Sequence, residues 1–593
     1  MPSLLFFGRG LAAGLLLAVA ADALPQPAAP HAGEVWFTEQ AEAVGIDFVH
    51  FNGMSGELYV SELLAPGAAV FDMDNDGDLD IYLIQGQMLG PGKTLDDALL
   101  PPQTTPLTDR LYRNDLAIDS DGRRILQFRD VTEASGLDVR SYGMGVAAGD
   151  VDNDGWVDLY RTGLGPDQLF LNNGDGTFAD VSDRIGMGNP GWGVSASFVD
   201  FDGDGWLDLF VGNYLQHDLD ARQPECLTRT GERDYCGPQA YAAVPDRLFR
   251  NRGDGTFVDV TTQALVAGEF GPALGVVASD LDGDGWQDLY VANDAAPNQL
   301  WINQQDGSFR NGALLAGTAF NGDGRVEGSM GVDAGDFDGD GDDDLFMTHL
   351  TTETNTLYVN TGAGLFEDRT VQTGLGGPSL AYTGFGTAWV DLDNDGWLDL
   401  LVANGAVQAK HQRFSSQSSS ASSPATGAPA LAQPNQLFRN LGNGRFEETS
   451  DRAGVVFELS GVSRGAAFGD VDNDGDVDVL VTNNNGRARL LINEVGHQRS
   501  WVGLRLVGGA GPRDMLGARV GVFRDVGAPL WRRARADGSY ASASDPRVLV
   551  GLGEATTVDH VRVIWPGGRE EAWTDIPVNR WLTLTEGTGR SQP

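Results

Sequence analysis

A nine-residue acidic pattern, D-x-D-x-D-G-x-x-D, recurs seven times in this chain and restricts its fold more than any other feature. The copies read DMDNDGDLD, DVDNDGWVD, DFDGDGWLD, DLDGDGWQD, DFDGDGDDD, DLDNDGWLD and DVDNDGDVD, starting at Asp72, Asp150, Asp200, Asp280, Asp336, Asp391 and Asp470. Their spacings are 78, 50, 80, 56, 55 and 79 residues. The shortest sets the size of one unit, and the longer ones are that unit plus an insertion. A period of this length points to propeller blades or a solenoid.

The same neighbours travel with each loop. Before it lies a run of small residues such as "GMGVAAGD", and after it an apolar run such as "DLFVGN". A hairpin pattern follows, as in "DQLFLNNGDGTFADVS" (167–182) and "NQLFRNLGNGRFEETS" (435–450). Alternating apolar residues around an N-G or D-G turn are a strong hairpin signal. Each unit therefore reads as four short strands. Repeated around an axis, such units make an all-β, seven-bladed β-propeller, with small residues where the first strands crowd the axis. The last unit ends at "RLLINE" (489–494) without an outer strand. The N-terminal "WFTEQAEAVGI" (36–46) resembles "QFRDVTEASGL" (127–137), which carries that strand. An N-terminal strand near residues 36–39 is thus expected to complete the last blade and close the ring. An open or eight-bladed array is the alternative.

The loops are candidate metal sites. Their ligand candidates are Asp72, Asp74, Asp76 and Asp80; Asp150, Asp152, Asp154 and Asp158; Asp200, Asp202, Asp204 and Asp208; Asp280, Asp282, Asp284 and Asp288. The last three loops offer Asp336, Asp338, Asp340 and Asp344; Asp391, Asp393, Asp395 and Asp399; and Asp470, Asp472, Asp474 and Asp478. Carboxylates at positions 1, 3 and 5, with a glycine at 6, match the first half of a helix–loop–helix calcium site. Position 12 is never acidic here: it is Leu83, Arg161, Val211, Val291, Met347, Val402 or Val481. A strand follows, so the expectation is a strand–loop–strand site closed by the aspartate at position 9. About seven calcium ions are expected, one per blade, mainly structural. The competing reading is a solvated Asp/Gly turn, but like charges this close destabilise one another without a cation. Magnesium prefers to keep its water, and transition metals prefer His or Cys.

The totals agree. Eighty-four Asp and Glu face 40 Lys and Arg, for a net charge of −44. That surface disfavours nucleic acid, whose binding depends on phosphate neutralisation. Residues 1–23, with an apolar run from Leu11 to Ala21 after Arg9 and "ADA" at 21–23, read as a secretory signal peptide. No later stretch is long and apolar enough to span a membrane, so a secreted, periplasmic or cell-surface monomer is expected. Its two cysteines, Cys226 and Cys236, read as one disulfide in an exported chain. The Ser/Ala/Pro-rich stretch 411–434 reads as a flexible insertion in the sixth unit.

Taken together, the loops and hairpins over 36–494 resemble the FG-GAP/VCBS repeat family, whose propellers include the head of integrin α subunits. The tail, 497–590, shows "DMLGARVGVF" (514–523), "ARADGSYASASDPRVLVGLG" (534–553) and "VDHVRVIWPGGREEAWTDIPVNRWLTLTE" (558–586). These stretches resemble the ASPIC/UnbV domain, which follows such propellers in bacterial exported proteins and in the cartilage acidic protein family. The resemblance implies extracellular calcium binding and supplies no activity. The tail carries 13 Arg against 10 acidic residues, so it either docks on the acidic propeller or is tethered to it.

No H-E-x-x-H motif occurs. The leading expectation is a protein- or glycan-binding adhesion module. The alternative is a calcium-dependent carbohydrate-active enzyme, polysaccharide lyase-like, with its site in the insertions 88–108, 214–245 and 312–328. Arg222, Arg229, Arg233 and Tyr235 can be assembled into that reading but nothing in their spacing demands it, and His349, which follows an acidic loop towards the loop surface, reads more as a structural histidine than as a base. A purely structural surface component is a third reading.

Overall fold

The computed structural model describes residues 35–184, 186–228, 231–266, 268–408, 431–525 and 527–591. The expected signal peptide and most of the predicted insertion lie outside them. The described chain contains seven four-stranded antiparallel sheets, here called blades one to seven. Their first strands are Ala68–Phe71, Gly143–Gly149, Gly193–Val199, Ala273–Ser279, Val332–Gly335, Gly384–Val390 and Ser463–Gly469. Consecutive first strands pack side by side, and that of blade seven packs on that of blade one. The sheets therefore form a closed ring. In blade two the acidic loop joins Gly143–Gly149 to Asp158–Gly163, and Gln168–Asn172 and Phe178–Asp180 complete the sheet. Every other blade repeats this order, and blade seven takes its outer strand from the N-terminus. There Phe37–Glu39 pairs with Asn493, Ile492 and Leu491, as the complementary ends of the sequence predict.

Apolar clusters sit between adjacent blades. Ala148, Leu159 and Phe178 of blade two pack on Phe71 and Leu111 of blade one, and Ala466, Phe468 and Val481 of blade seven pack on Ala388 and Leu401 of blade six. Each large side chain buried this way stabilises the ring by roughly 1.5–3 kcal/mol.

The tail folds into a three-stranded and a five-stranded sheet. Val502, Leu504, Val520, Val522, Val561, Val563 and Trp565 fill the core between them. It docks on the propeller face that carries the acidic loops. Its segment 537–545, "DGSYASASD", enters the central channel and bonds to the first strand of all seven blades. The amides of Val70, Val146 and Val332 donate to the carbonyls of Ala543, Ala541 and Ser539 at 3.0, 3.1 and 3.0 Å. The Ala541 amide donates to Ser195 Oγ at 3.0 Å, and those of Ala278 and Thr387 donate to Asp537 Oδ2 and Ser539 Oγ at 2.7 and 3.2 Å. The Asp545 amide donates to the Phe468 carbonyl at 3.0 Å. The small residues of the first strands thus have a second cause besides crowding at the axis. A Cβ on Gly67 would lie 1.8 Å from the Ala541 carbonyl oxygen, and one on Gly465 would lie 2.5 Å from Ser542 Oγ.

Candidate metal centres

All seven acidic loops are wired alike. The aspartate at position 1 accepts the amide of the glycine at position 6, as in Asp72 from Gly77 at 3.0 Å and Asp150 from Gly155 at 2.7 Å. The aspartate at position 5 accepts the amide at position 7, as in Asp204 from Trp206 and Asp284 from Trp286, both at 2.9 Å. The glycine makes the sharp turn with a positive φ, 93° at Gly77 and 90° at Gly205. Position 4 also sits at positive φ, which explains why it is Asn or Gly. Asn75, Asn153, Asn394 and Asn473 reach across to the position-6 carbonyls of the following loops, Gly155, Gly205, Gly475 and Gly77.

The aspartate at position 9 has a second task that sequence reasoning did not assign. Its Oδ2 accepts the position-2 amide, and its Oδ1 accepts the amide of the asparagine ending the third strand. In blade four, Asp288 accepts from Leu281 at 3.0 Å and Asn303 at 2.8 Å. That asparagine then reaches the preceding blade, with Asn303 Nδ2 donating to the Phe201 carbonyl at 2.8 Å. Asn114 closes the circle, donating to Val471 of blade seven at 2.8 Å. The signal was visible in the sequence as the N of "FLN", "FRN", "WIN" and "YVN".

Positions 1, 3 and 9 converge. Ligand atoms of Asp72, Asp74 and Asp80 lie within 4.8 Å of one another, as do those of Asp150, Asp152 and Asp158, of Asp200, Asp202 and Asp208, and of Asp280, Asp282 and Asp288. The position-5 aspartates Asp76, Asp154, Asp204 and Asp284 are outside these groups. Several position-1 and position-3 oxygens of the loops are buried and have no hydrogen-bond partner: Oδ1 of Asp72, Asp74, Asp200, Asp202, Asp280, Asp338 and Asp391. Burial is the leading cause that raises the position-1 carboxyls from 3.8, to about 6 in Asp72 and Asp200 and about 7 in Asp150, Asp336 and Asp391. Neighbouring aspartates push the same way. Hard, anionic, unpaired oxygens around a tight turn fit calcium.

Residues 150–211, 240–291, 280–347, 336–402 and 425–510 match the FG-GAP-like repeat. The chain belongs to the FG-GAP-like repeat family. Residues 508–591 match the ASPIC and UnbV domain. Cartilage acidic protein 1 of Mus musculus is 26% identical over 534 residues, covering 85% of this chain and 70% of that protein. The Homo sapiens protein is 30% identical over 173 residues, 28% of this chain and 25% of that protein. Among solved structures, a lectin from Agrocybe aegerita aligns at TM-score 0.36 and 15% identity, over 71% of this chain and 87% of the lectin. A rhamnogalacturonan lyase from Bacillus licheniformis aligns at TM-score 0.29 and 13% identity, over 89% of this chain and 92% of the lyase. At these values neither likeness bears on what this chain binds.

Two loops of this FG-GAP-like propeller carry fixed cations. Arg439, 3% exposed at its side chain, places Nη2 2.9 Å from both Asp393 and Asp395, and Arg499 lies 3.0 Å from Asp393. In the seventh loop His497 Nδ1 lies 2.9 Å from Asp474 and 2.8 Å from Asp476. The tail contributes further: Arg547 and Arg532 donate to the carbonyls of Gly77 and Gly396 at 3.1 and 2.9 Å, and Arg519 donates to that of Gly341.

The other candidates are dispersed. Cys226 and Cys236 form a disulfide across a two-stranded ribbon in the blade-three insertion. Tyr235 is committed to Glu62, its hydroxyl donating at 2.7 Å, and Arg233 donates to the Glu57 carbonyl. Arg229 lies outside the described residues. His349 is buried beside Ser329 and Glu327, at the end of its strand away from the acidic loop, so it does not face the loop surface.

Proposed function

We propose that this protein is an exported, calcium-rigidified FG-GAP-like propeller that acts as a protein- or glycan-binding adhesion module. The observation that carries the metal part is the set of buried, unpartnered aspartate oxygens converging at positions 1 and 3 of the loops. Ligands from positions 1, 3 and 9, with carbonyls of the turn, would hold each ion. A bound calcium would neutralise carboxylates that burial otherwise penalises, so its binding energy becomes folding energy. The disulfide and the kinship with cartilage acidic protein 1 support an extracellular setting. Elemental analysis of the mature protein, with melting before and after chelation, tests the metal part. About seven calcium ions per chain and a large fall in melting temperature on chelation are expected. Little bound calcium, or melting indifferent to chelation, refutes it.

A further inference from the structure

A cleft of about 1050 Å3 lies between the acidic loops of blades three and four and the tail. Its propeller wall includes Asp204, Trp206, Asp284 and Trp286, and its tail wall includes Arg513 and Trp565. The gap has a local cause. Loops one, two, six and seven carry asparagine at position 4, which bridges to a neighbouring loop. Loops three and four carry Gly203 and Gly283 there, so no asparagine bridges them, and the Trp286 ring of loop four lies against Gly203, 3.2 Å from where its Cβ would be.

Two buried donors on the tail wall are unused. Trp565 is 1% exposed, and its Nε1 has no hydrogen-bond partner. Arg513 is 6% exposed; one guanidinium nitrogen lies 3.6 Å from Asp200 while Nη1 has no partner. Buried polar groups are usually satisfied, and both residues line this cleft, so an acceptor that enters it and displaces their covering would satisfy them. The opposite wall is rich in carboxylates, which accept hydrogen bonds from hydroxyls. The half-buried indoles of Trp206 and Trp286 offer apolar surface of the kind that packs on sugar rings.

We propose that this cleft binds an acidic oligosaccharide, with the carboxylate of a uronic acid ring on Arg513 and Trp565 and ring hydroxyls on Asp204 and Asp284. A sugar chain brings one carboxylate per ring among many hydroxyl donors. An acidic peptide brings dense negative charge without those donors and meets repulsion from the propeller wall. The assignment rests on the binding-module reading above and gives it a ligand class and a place.

The test is calorimetric titration of the full mature protein in calcium with short oligogalacturonates, their methyl esters, and a poly-glutamate peptide. Binding of the free acid is expected, with at least tenfold weaker binding of the ester, which needs no variant to observe. Trp565→Phe, which keeps the ring and removes the N–H, and Arg513→Gln are each expected to weaken the acid at least tenfold. No binding of the acid, equal binding of the ester, tighter binding of the peptide, or binding unchanged by both substitutions overturns the inference. Calcium content and chelation-dependent melting of the same samples report separately on the metal-binding reading. A ligand held at a site indifferent to Arg513 and Trp565 leaves a binding module standing and removes this cleft as its site.

Discussion

Asn303 shows how much one side chain does in this ring. Its amide satisfies Asp288, its Nδ2 reaches the carbonyls of Phe201 and Gln287 at 2.8 and 3.1 Å, and its Oδ1 accepts the Gln305 amide at 2.8 Å. Alanine at this position would strand two carbonyls and one amide in a site that is 2% exposed. Each stranded group costs about 1–3 kcal/mol, although relaxation recovers part of it. Asn303→Ala is expected to destabilise the calcium-loaded protein by about 2 kcal/mol or more, read as a lower denaturation midpoint in urea at unchanged slope. Asn173→Ala, on an exposed hairpin turn, is the control. Equal midpoints for the two variants would show that the asparagine bridge between blades carries no weight. The sequence displayed this residue in every unit but not its reach, because the partner carbonyl lies about a hundred positions away in another blade.

The acidic loops were the most legible elements, since seven copies of one pattern with invariant Asp and Gly leave little room for another turn. What the pattern could not tell was how each copy is neutralised. Position 5 looks like an equal ligand in sequence, yet its carboxylate caps its own turn, and Arg439 reaches the sixth loop from a strand 40 residues downstream of the loop's end. Two predictions belong here. Chelated protein holds position-1 carboxyls raised from 3.8 to about 6 or 7 by burial. A raised folded-state pKa contributes stability that is complete below the unfolded value and is lost as pH rises through the folded one. Metal-free protein is therefore expected to melt higher at pH 5 than at pH 7.5, while the gain from calcium is larger at pH 7.5, where the ligands are ionised. Chelated melting that stays flat or rises across that window contradicts the raised carboxyls. The sixth loop supplies the other prediction. Arg439→Leu removes the guanidinium between Asp393 and Asp395, leaving Asp395 unpaired and Asp393 with Arg499 alone, at a cost of about 3 kcal/mol without metal. The chelated variant should melt well below wild type, and saturating calcium should narrow the difference because the ion replaces the lost charge. An equal deficit with and without calcium would show that loop six does not exchange its arginine for a cation.

At the scale of the whole molecule the ring closure was readable, because the unpaired "RLLINE" and the orphan "WFTEQ" fit each other, whereas the position of the tail was not. Its net positive charge allowed docking or tethering equally. The plug "DGSYASASD" is polar and small, with no hydrophobic period to announce burial; its burial follows from hydrogen bonds to strand edges that line the channel. The glycines at 67, 145 and 465 were half of that information, since they leave room for the plug backbone rather than only for one another. One consequence concerns cooperativity. Segment 537–545 bonds to every first strand, and Ser539 alone joins three blades: its carbonyl accepts from Val332, its Oγ accepts from Thr387, and that hydroxyl donates to the Ala466 carbonyl at 2.7 Å. The tail cannot leave without opening seven sets of bonds in the channel, and the propeller cannot open without releasing the tail. Calorimetry of the calcium-loaded chain is therefore expected to show one transition covering both parts. Ser539→Ala should move that single transition down as a unit, with a loss of about 1–3 kcal/mol for the groups left unpaired. Two separable transitions, with only the smaller one sensitive to Ser539→Ala, would mean that the tail unfolds on its own and that the ring holds its shape without the plug.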